Sequence, residues 1–202
     1  MTDFSELREA AGLLSVPGRR RILGITGPPG AGKSTLAARL VTELGAGRAV
    51  YVGMDGFHLA DAELRRAGLR ERKGAPDTFD RAGYAALLGR LRREPGTIYA
   101  PAFDRAIEDS IAAAVPVPAD VPLVVTEGNY LLLWPEIRPL LDQVWYLDPP
   151  PTSRRAALVA RHVAFGKAPD EAERWVHESD ERNAELVAAG RQLADRVLGW
   201  SE

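Results

Sequence analysis

Apolar and polar positions divide this chain into short apolar runs and longer stretches at helical spacing. Arg21-Ile22-Leu23-Gly24-Ile25-Thr26 is a short apolar run stopped by glycine, which suits a buried strand. Ala49-Val50-Tyr51-Val52-Gly53, Pro122-Leu123-Val124-Val125-Thr126 and Gln143-Val144-Trp145-Tyr146-Leu147 read the same way, the last ended by three prolines. Between them the period changes. Leu36, Leu40, Val41 and Leu44 recur at helical spacing from Lys33 until Gly45 and Gly47 stop the run. Tyr84, Leu87, Leu88 and Leu91 mark another helix, closed by Pro95-Gly96. Residues 3–14 predict a short N-terminal helix. Two further helices are expected over about 152–165 and about 169–189. The second would place Ala172, Val176, Ser179, Asn183, Leu186 and Val187 on one face. Asp195-Arg196-Val197-Leu198 reads as a last edge strand. Apolar strands alternating with amphipathic helices predict a parallel sheet wrapped by helices.

Composition narrows the function classes. The 202 residues favour one domain with a real core, and 46% hydrophobic with 27% charged residues is an ordinary globular balance. The net charge of -2 supplies no global field for nucleic acid or membrane. No cysteine is present, which excludes disulfides, thiolate metal sites and cysteine nucleophiles. No run approaches the roughly 18 apolar residues of a membrane span, and the acidic start Met1-Thr2-Asp3-Phe4-Ser5-Glu6 does not read as a signal peptide. A cytoplasmic setting is the expectation.

Chemistry enters at Gly27-Pro28-Pro29-Gly30-Ala31-Gly32-Lys33-Ser34, a complete G-x-x-x-x-G-K-S phosphate-binding loop between an expected strand and an expected helix. Gly27, Gly30 and Gly32 let the backbone turn its N–H groups inward with that of Ala31, and the helix adds its positive end. Lys33 supplies a charge for the β- and γ-phosphates, Ser34 a hydroxyl ligand for Mg²⁺, and Thr35 a helix cap. ATP with Mg²⁺ is the expected cofactor pair. No N-K-x-D sequence for guanine recognition occurs, so the GTPase reading fares poorly.

Asp55 follows the second strand in Met54-Asp55-Gly56-Phe57-His58, at the end of the sheet where the loop also lies. A carboxylate there can accept a hydroxyl proton or help hold Mg²⁺, although Asp-Gly is also a common turn. Glu127 ends the strand Leu123–Thr126, the Walker B arrangement for a metal-orienting acid, with Glu in place of the more usual Asp.

Taken in order, the loop, Asp55-Gly56-Phe57-His58, Arg72-Lys73-Gly74-Ala75-Pro76-Asp77-Thr78-Phe79-Asp80, Pro101-Ala102-Phe103-Asp104-Arg105 and Glu127-Gly128-Asn129-Tyr130 resemble the uridine kinase/phosphoribulokinase/bacterial pantothenate kinase family. The nearest likeness is to its nucleoside/nucleotide kinase-like branch, which includes sugar kinase-like members, and it spans residues 20–198. The resemblance implies an α/β, three-layer P-loop kinase fold with a central parallel sheet of about five strands and a helical lid. It implies one domain over 1–202, with an N-terminal helical extension over 1–20 and a lid over about 152–168. The implied reaction is transfer of the ATP γ-phosphate to a hydroxyl of a small molecule. Asp55 is then the catalytic base, and Asp104 and Arg105 lie where relatives contact the acceptor. Family members are often dimers or larger, so the resemblance leaves the oligomeric state open, with a homodimer among the assemblies it allows. The segment Asp55-Gly56-Phe57-His58 departs from the Asp-Ser-Phe-Tyr-like form of uridine kinases toward that of pantothenate kinases, which are longer. Nucleoside, pantothenate-like and sugar acceptors all stay open.

Other residues complete the expected site. His58 is a candidate acceptor-pocket donor, and Arg72 and Lys73 are candidates for holding a polar or anionic acceptor. Arg154, Arg155, Arg161 and Lys167 fall on or beyond the lid helix, where Arg161 and Lys167 suit a lid that neutralises the moving phosphoryl group. Arg155 could equally pair with surface acids. His162 and His177 read as surface or structural. Trp134, Trp145 and Trp175 read most simply as core or interface residues, and Asn183 as packing. The competing reading is a P-loop ATPase or nucleotide-dependent switch acting with a protein partner. Segments 72–80 and 101–105 argue against it, since a switch needs no second small-molecule pocket.

Overall fold

The computed structural model describes residues 2–199; Met1 and residues 200–202, at the ends of the expected 1–202 unit, lie outside it. The expected strands form β1 (Arg21–Thr26), β2 (Ala49–Gly53), β5 (Leu123–Glu127), β6 (Gln143–Leu147) and β7 (Arg196–Leu198), the numbers β3 and β4 belonging to a hairpin described below. These five pair in the order β2-β5-β1-β6-β7, all parallel. Gly53 and Ile25 both stand in register with Glu127, so the carboxyl ends of β2, β5 and β1 lie side by side.

Period-two alternation divides each strand between two cores. Ile22, Val124, Val144 and Tyr146 face one, covered by α4 (Arg81–Arg93) through Tyr84 and Leu88, and by Tyr130 and Trp134. Leu23, Ile25, Val125, Trp145 and Leu147 face the other. Helix α2 (Lys33–Leu44) covers that face with Leu36 and Leu40, and α1 (Phe4–Leu14) with Leu7 and Ala11. Burial on both faces explains why the strands read as continuous apolar runs. Each fully buried leucine contributes about 2 kcal/mol. The N-terminal helix is therefore a core element and not an appendage, since Leu7 and Ala11 are fully buried against the sheet.

Two features depart from the expected pattern. Residues 98–117 form an antiparallel hairpin, β3 (Ile98–Asp104) and β4 (Asp109–Val117), outside the main sheet. The hairpin packs on the turn Met54–Phe57, where a Cβ on Gly56 would meet the Pro101 carbonyl oxygen at 2.6 Å. The second departure lies beyond α3 (Asp61–Arg66) and α5 (Pro151–Ala164). The expected helix over 169–189 is α6 (Pro169–Trp175), a π turn over Val176–Asp180 and α7 (Glu181–Ala188). The wider turn breaks the 3.6 period. Ala172, Val176, Asp180, Asn183 and Val187 are buried, with Asp180 in place of Ser179, while Leu186 is exposed. Among the described residues no helix is long and apolar enough to cross a membrane.

Gly27 joins β1 to the loop at φ 145°, and a Cβ there would meet the Leu147 carbonyl oxygen at 2.5 Å. Backbone cannot swing aside as a side chain does. Gly27→Ala is expected to cost about 2 kcal/mol or more, lowering the melting temperature by at least about 4 °C. Gly47→Ala, at a site with open space, is expected to leave it unchanged; thermal denaturation of both variants checks this.

Candidate active site

The phosphate-binding loop arches over the start of α2. Gly30 and Gly32 sit at φ 78° and 79°, the left-handed geometry that turns successive N–H groups inward. Gly32 begins the helix without a side-chain cap, so the first-turn N–H groups stay available to an anion. A cavity of about 350 Å³ opens here, lined by Gly30, Ala31, Gly32, Lys33, Ser34 and Thr35 together with Arg105 and Arg161. Lys33 is buried and donates to the Pro28 carbonyl at 2.9 Å. Burial pushes its ammonium down to about 8, against the pull of Glu127 and Asp55.

Helix α5 braces the loop from outside. Arg154, buried, donates to the Pro29 carbonyl at 3.3 Å and forms an ion pair with Glu181, which also holds Arg155 at 2.6 Å. A Cβ on Gly30 would meet Leu158 at 2.6 Å. Arg154 thus positions the loop, and Arg155 pairs with an acid, one of its two expected fates.

Glu127 is 3% exposed at the end of β5, between β2 and β1. Tyr51 donates its hydroxyl to Glu127 Oε1 at 2.7 Å, and Ser34 lines the cavity beside the same carboxylate. Burial and the nearby Asp55 charge push the Glu127 carboxyl up, while Lys33 and the Tyr51 and Ser34 hydroxyls draw it down. Among the described residues no group of three or more His, Cys, Asp or Glu could cage a metal. Mg²⁺ suits what is present, because it takes few protein ligands and is held largely by phosphate oxygens and water. Ser34 and Glu127 supply hard oxygen atoms beside the anion-binding N–H groups.

Asp55 sits in the turn directly after β2, half-buried, with Arg105 Nη2 at 3.3 Å from Oδ2. Arg105 comes from the tip of the β3–β4 hairpin. A second, more enclosed cavity of about 190 Å³ touches Lys33, Ser34, Asp55, Arg105, Glu127 and Arg161 and continues toward Lys73, Asn129, Trp175, Asp180 and Asn183. The two cavities share Gly30, Lys33, Ser34, Arg105 and Arg161, so the phosphate loop and Asp55 open on one space. Lys73 is nearly buried and bonds Asp61 Oδ1 at 2.7 Å and the Glu108 carbonyl. Tyr130 ties the adjoining loop down by donating to the Gly74 carbonyl at 2.6 Å.

Three expected acceptor residues stand elsewhere. His58 has its ring between Phe79 and Phe103, at 4.0 and 4.7 Å, and its Nδ1 lies 2.7 Å from the Asp55 carbonyl. That bond uses the donor nitrogen, and burial pushes the imidazole down, so His58 steadies the Asp55 turn. Arg72 is exposed, pairs with Asp77 at 3.0 Å and borders an outer groove. Asp104 is spent on the hairpin turn, accepting from the Ala106 N–H at 2.8 Å. Lys167 pairs with Glu171 and covers the Trp175 ring at 4.4 Å, outside both cavities. The sequence reading missed His162, Asp180, Trp175 and Asn183, which line the inner cavity; His162 and Asp180 pair at 2.8 Å. The expected helix over 169–189 already put Asn183 on its inner face; the π turn hid only that Asp180 joins it.

The chain is similar to several known proteins. The family model for the methylmalonyl Co-A mutase-associated GTPase MeaB matches residues 7–55, from within α1 through the phosphate loop to just past β2. "ATP-dependent kinase-like protein notR'" of Aspergillus versicolor is 35% identical over 74% of this chain and 96% of its own length. "Putative uridine kinase C227.14" of Schizosaccharomyces pombe is 32% identical over 86% of this chain and 79% of its own. The crystal structure titled "putative fructose transport system kinase" from Silicibacter sp. TM1040 superposes with a TM-score of 0.88 at 33% identity, covering 98% of this chain and all of that one. The five-stranded parallel sheet, the phosphate loop and these relatives establish that the chain belongs to the uridine kinase/phosphoribulokinase/pantothenate kinase family of P-loop kinases, phosphotransferases with an alcohol group as acceptor.

Proposed function

We propose that this protein transfers the γ-phosphate of Mg²⁺-bound ATP to a hydroxyl group of a small molecule, with Asp55 as the base. The observation that carries the reading is the shared space, in which Lys33, Ser34, Asp55, Glu127 and Arg161 line one cavity. The loop N–H groups and Lys33 hold the β- and γ-phosphates. Bound Mg²⁺ would neutralise phosphate charge beside Ser34 and Glu127. The acceptor oxygen forms its bond to the γ-phosphorus as the bond to the β-phosphate bridging oxygen breaks. Asp55 takes the hydroxyl proton, and ADP leaves. Arg161 and Arg105 border both cavities and offset charge spread over the transferring oxygens. The expected lid thus contributes Arg161, on α5, while Arg105 reaches in from the hairpin opposite.

Asp55→Asn keeps the shape of the side chain and removes the base. ATP affinity is expected to hold within about twofold, while acceptor-dependent ADP release falls at least about a hundredfold. Near-normal turnover rules out the base assignment. A partner-activated ATPase would instead release ADP without any acceptor, which the same assay reads.

Lys33→Ala is expected to weaken ATP binding by about tenfold or more in calorimetric titration. Proton linkage gives a sharper check. Free Lys33 titrates near 8, and phosphate oxygens stabilise its charged form, so binding raises that value. At pH 8 ATP binding then takes up about half a proton, whereas near pH 6 the lysine is already charged and takes up none. The binding enthalpy at pH 8 is expected to change with the ionisation heat of the buffer. Lys33→Arg, charged at either pH, is expected to lose that dependence.

A further inference from the structure

The inner cavity carries a side chain that the phosphoryl transfer described above does not use. Asn183 lies on α7, is 7% exposed and lines the cavity. Its amide has no hydrogen-bond partner among the described residues. A buried amide left unsatisfied costs about 1–3 kcal/mol, and folded proteins rarely carry one idle. The π turn sets Asp180 beside it, where the plain helical period put Ser179. Trp175, at the end of α6, adds an aromatic wall, its ring backed by Lys167.

The charges around this end of the cavity are already engaged. Lys73 holds Asp61 and the Glu108 carbonyl, and Arg105 holds Asp55. Arg105 and Arg161 also border the phosphate cavity, where the nucleotide charge falls. Asp55 and Asp180 line the cavity too, paired with Arg105 and His162. A carboxylate or phosphate on the acceptor would find no unpaired cation on its own side. An amide that both donates and accepts, beside an indole wall, matches hydroxyl groups carried on an apolar carbon frame. The volume of about 190 Å³, part of it over the phosphate loop, suits one small ring or chain.

We infer that the acceptor is an uncharged polyhydroxyl compound, a single sugar ring or open polyol, gripped by Asn183 and seated against Trp175; this rests on the kinase reading above. Asn183 is then a specificity-determining residue that bonds acceptor hydroxyls away from the one being phosphorylated.

The test is acceptor-dependent ADP release by the whole protein with saturating Mg²⁺-ATP. The panel holds pentoses, hexoses and hexitols, the corresponding sugar phosphates and sugar acids, and ribonucleosides. The best uncharged sugar or polyol is expected to exceed each charged counterpart at least about tenfold in kcat/KM. On that compound, Asn183→Ala is expected to raise the acceptor KM about tenfold or more, with the KM for ATP within about twofold. Its melting temperature is expected to hold or rise, because the amide removed has no partner in the fold; a structural role would lower it and leave the acceptor KM in place. Trp175→Ala is expected to raise the acceptor KM, and Trp175→Phe to restore most of the loss. A sugar phosphate, sugar acid or nucleoside as the preferred acceptor overturns the inference and leaves the kinase reading standing. ADP release that no hydroxyl compound stimulates overturns both.

Discussion

A carboxylate buried at the end of an inner strand is costly, and much of the site is arranged around offsetting that cost at Glu127. Three groups approach it. Tyr51 reaches across from β2, Ser34 from the first turn of α2, and Lys33 from the loop. Each depends on the strand order, because only β2 and β1 flank β5. Burial acts on both charges in opposite senses, raising the Glu127 carboxyl and lowering the Lys33 ammonium. The two partly compensate one another, yet neither regains what water supplied. A polyphosphate and its cation would bring the missing counter-charges, returning part of the folding cost as binding energy. The site is preorganised for charge before any ligand arrives.

Two close backbone approaches carry that preorganisation outward. Gly30 lies beneath Leu158 and the Arg154 carbonyl, so α5 cannot shift without the loop feeling it. Gly56 lies beneath Pro101, so the hairpin and the Asp55 turn move as one. Glu181 then joins α5 to α7 through both Arg154 and Arg155. The loop that would hold the phosphates and the helix that carries Asn183 are thereby linked through one arginine, itself bonded to the Pro29 carbonyl. Such packed contacts transmit displacement because protein interiors leave little slack.

How much of this could be read in advance depended on how locally it was written. The phosphate loop is eight consecutive residues between a strand and a helix, and each element that makes it work is adjacent in sequence. The strands were equally plain, since burial on both faces leaves an apolar run with no competing period. The hairpin was not. Pro101 and Pro116 weaken a strand reading, and Glu108 and Ala113 adopt left-handed φ values of 54° and 56° that no glycine announces. Its register also shifts at Ala100/Ala102, which breaks strict alternation. Within Arg72-Lys73 the pattern could not say which cation turns inward; Lys73 does, because Asp61 and the Glu108 carbonyl, both distant in sequence, receive it. His58 looked like a ligand-facing donor because it follows Asp55 closely. Its donor nitrogen is instead spent on the Asp55 carbonyl, a bond no spacing rule reveals.

The same contrast separates the reaction from its acceptor. Donor chemistry rests on one contiguous loop plus two acids at neighbouring strand ends, so a motif suffices to identify it. The inner cavity is assembled from segments near residues 55, 73, 105, 129, 175 and 183, which meet only in the folded chain. A substitution near 73, 129, 175 or 183 changes that cavity away from the phosphate loop. Asn183 shows how little sequence signal that requires. An asparagine on the inner face of a helix reads as packing until a π turn sets Asp180 beside it and its amide is found without a partner. Relatives can therefore share the loop, the sheet order and the base while differing in the hydroxyl they phosphorylate, because selection among acceptors acts on residues whose common purpose is visible only in three dimensions.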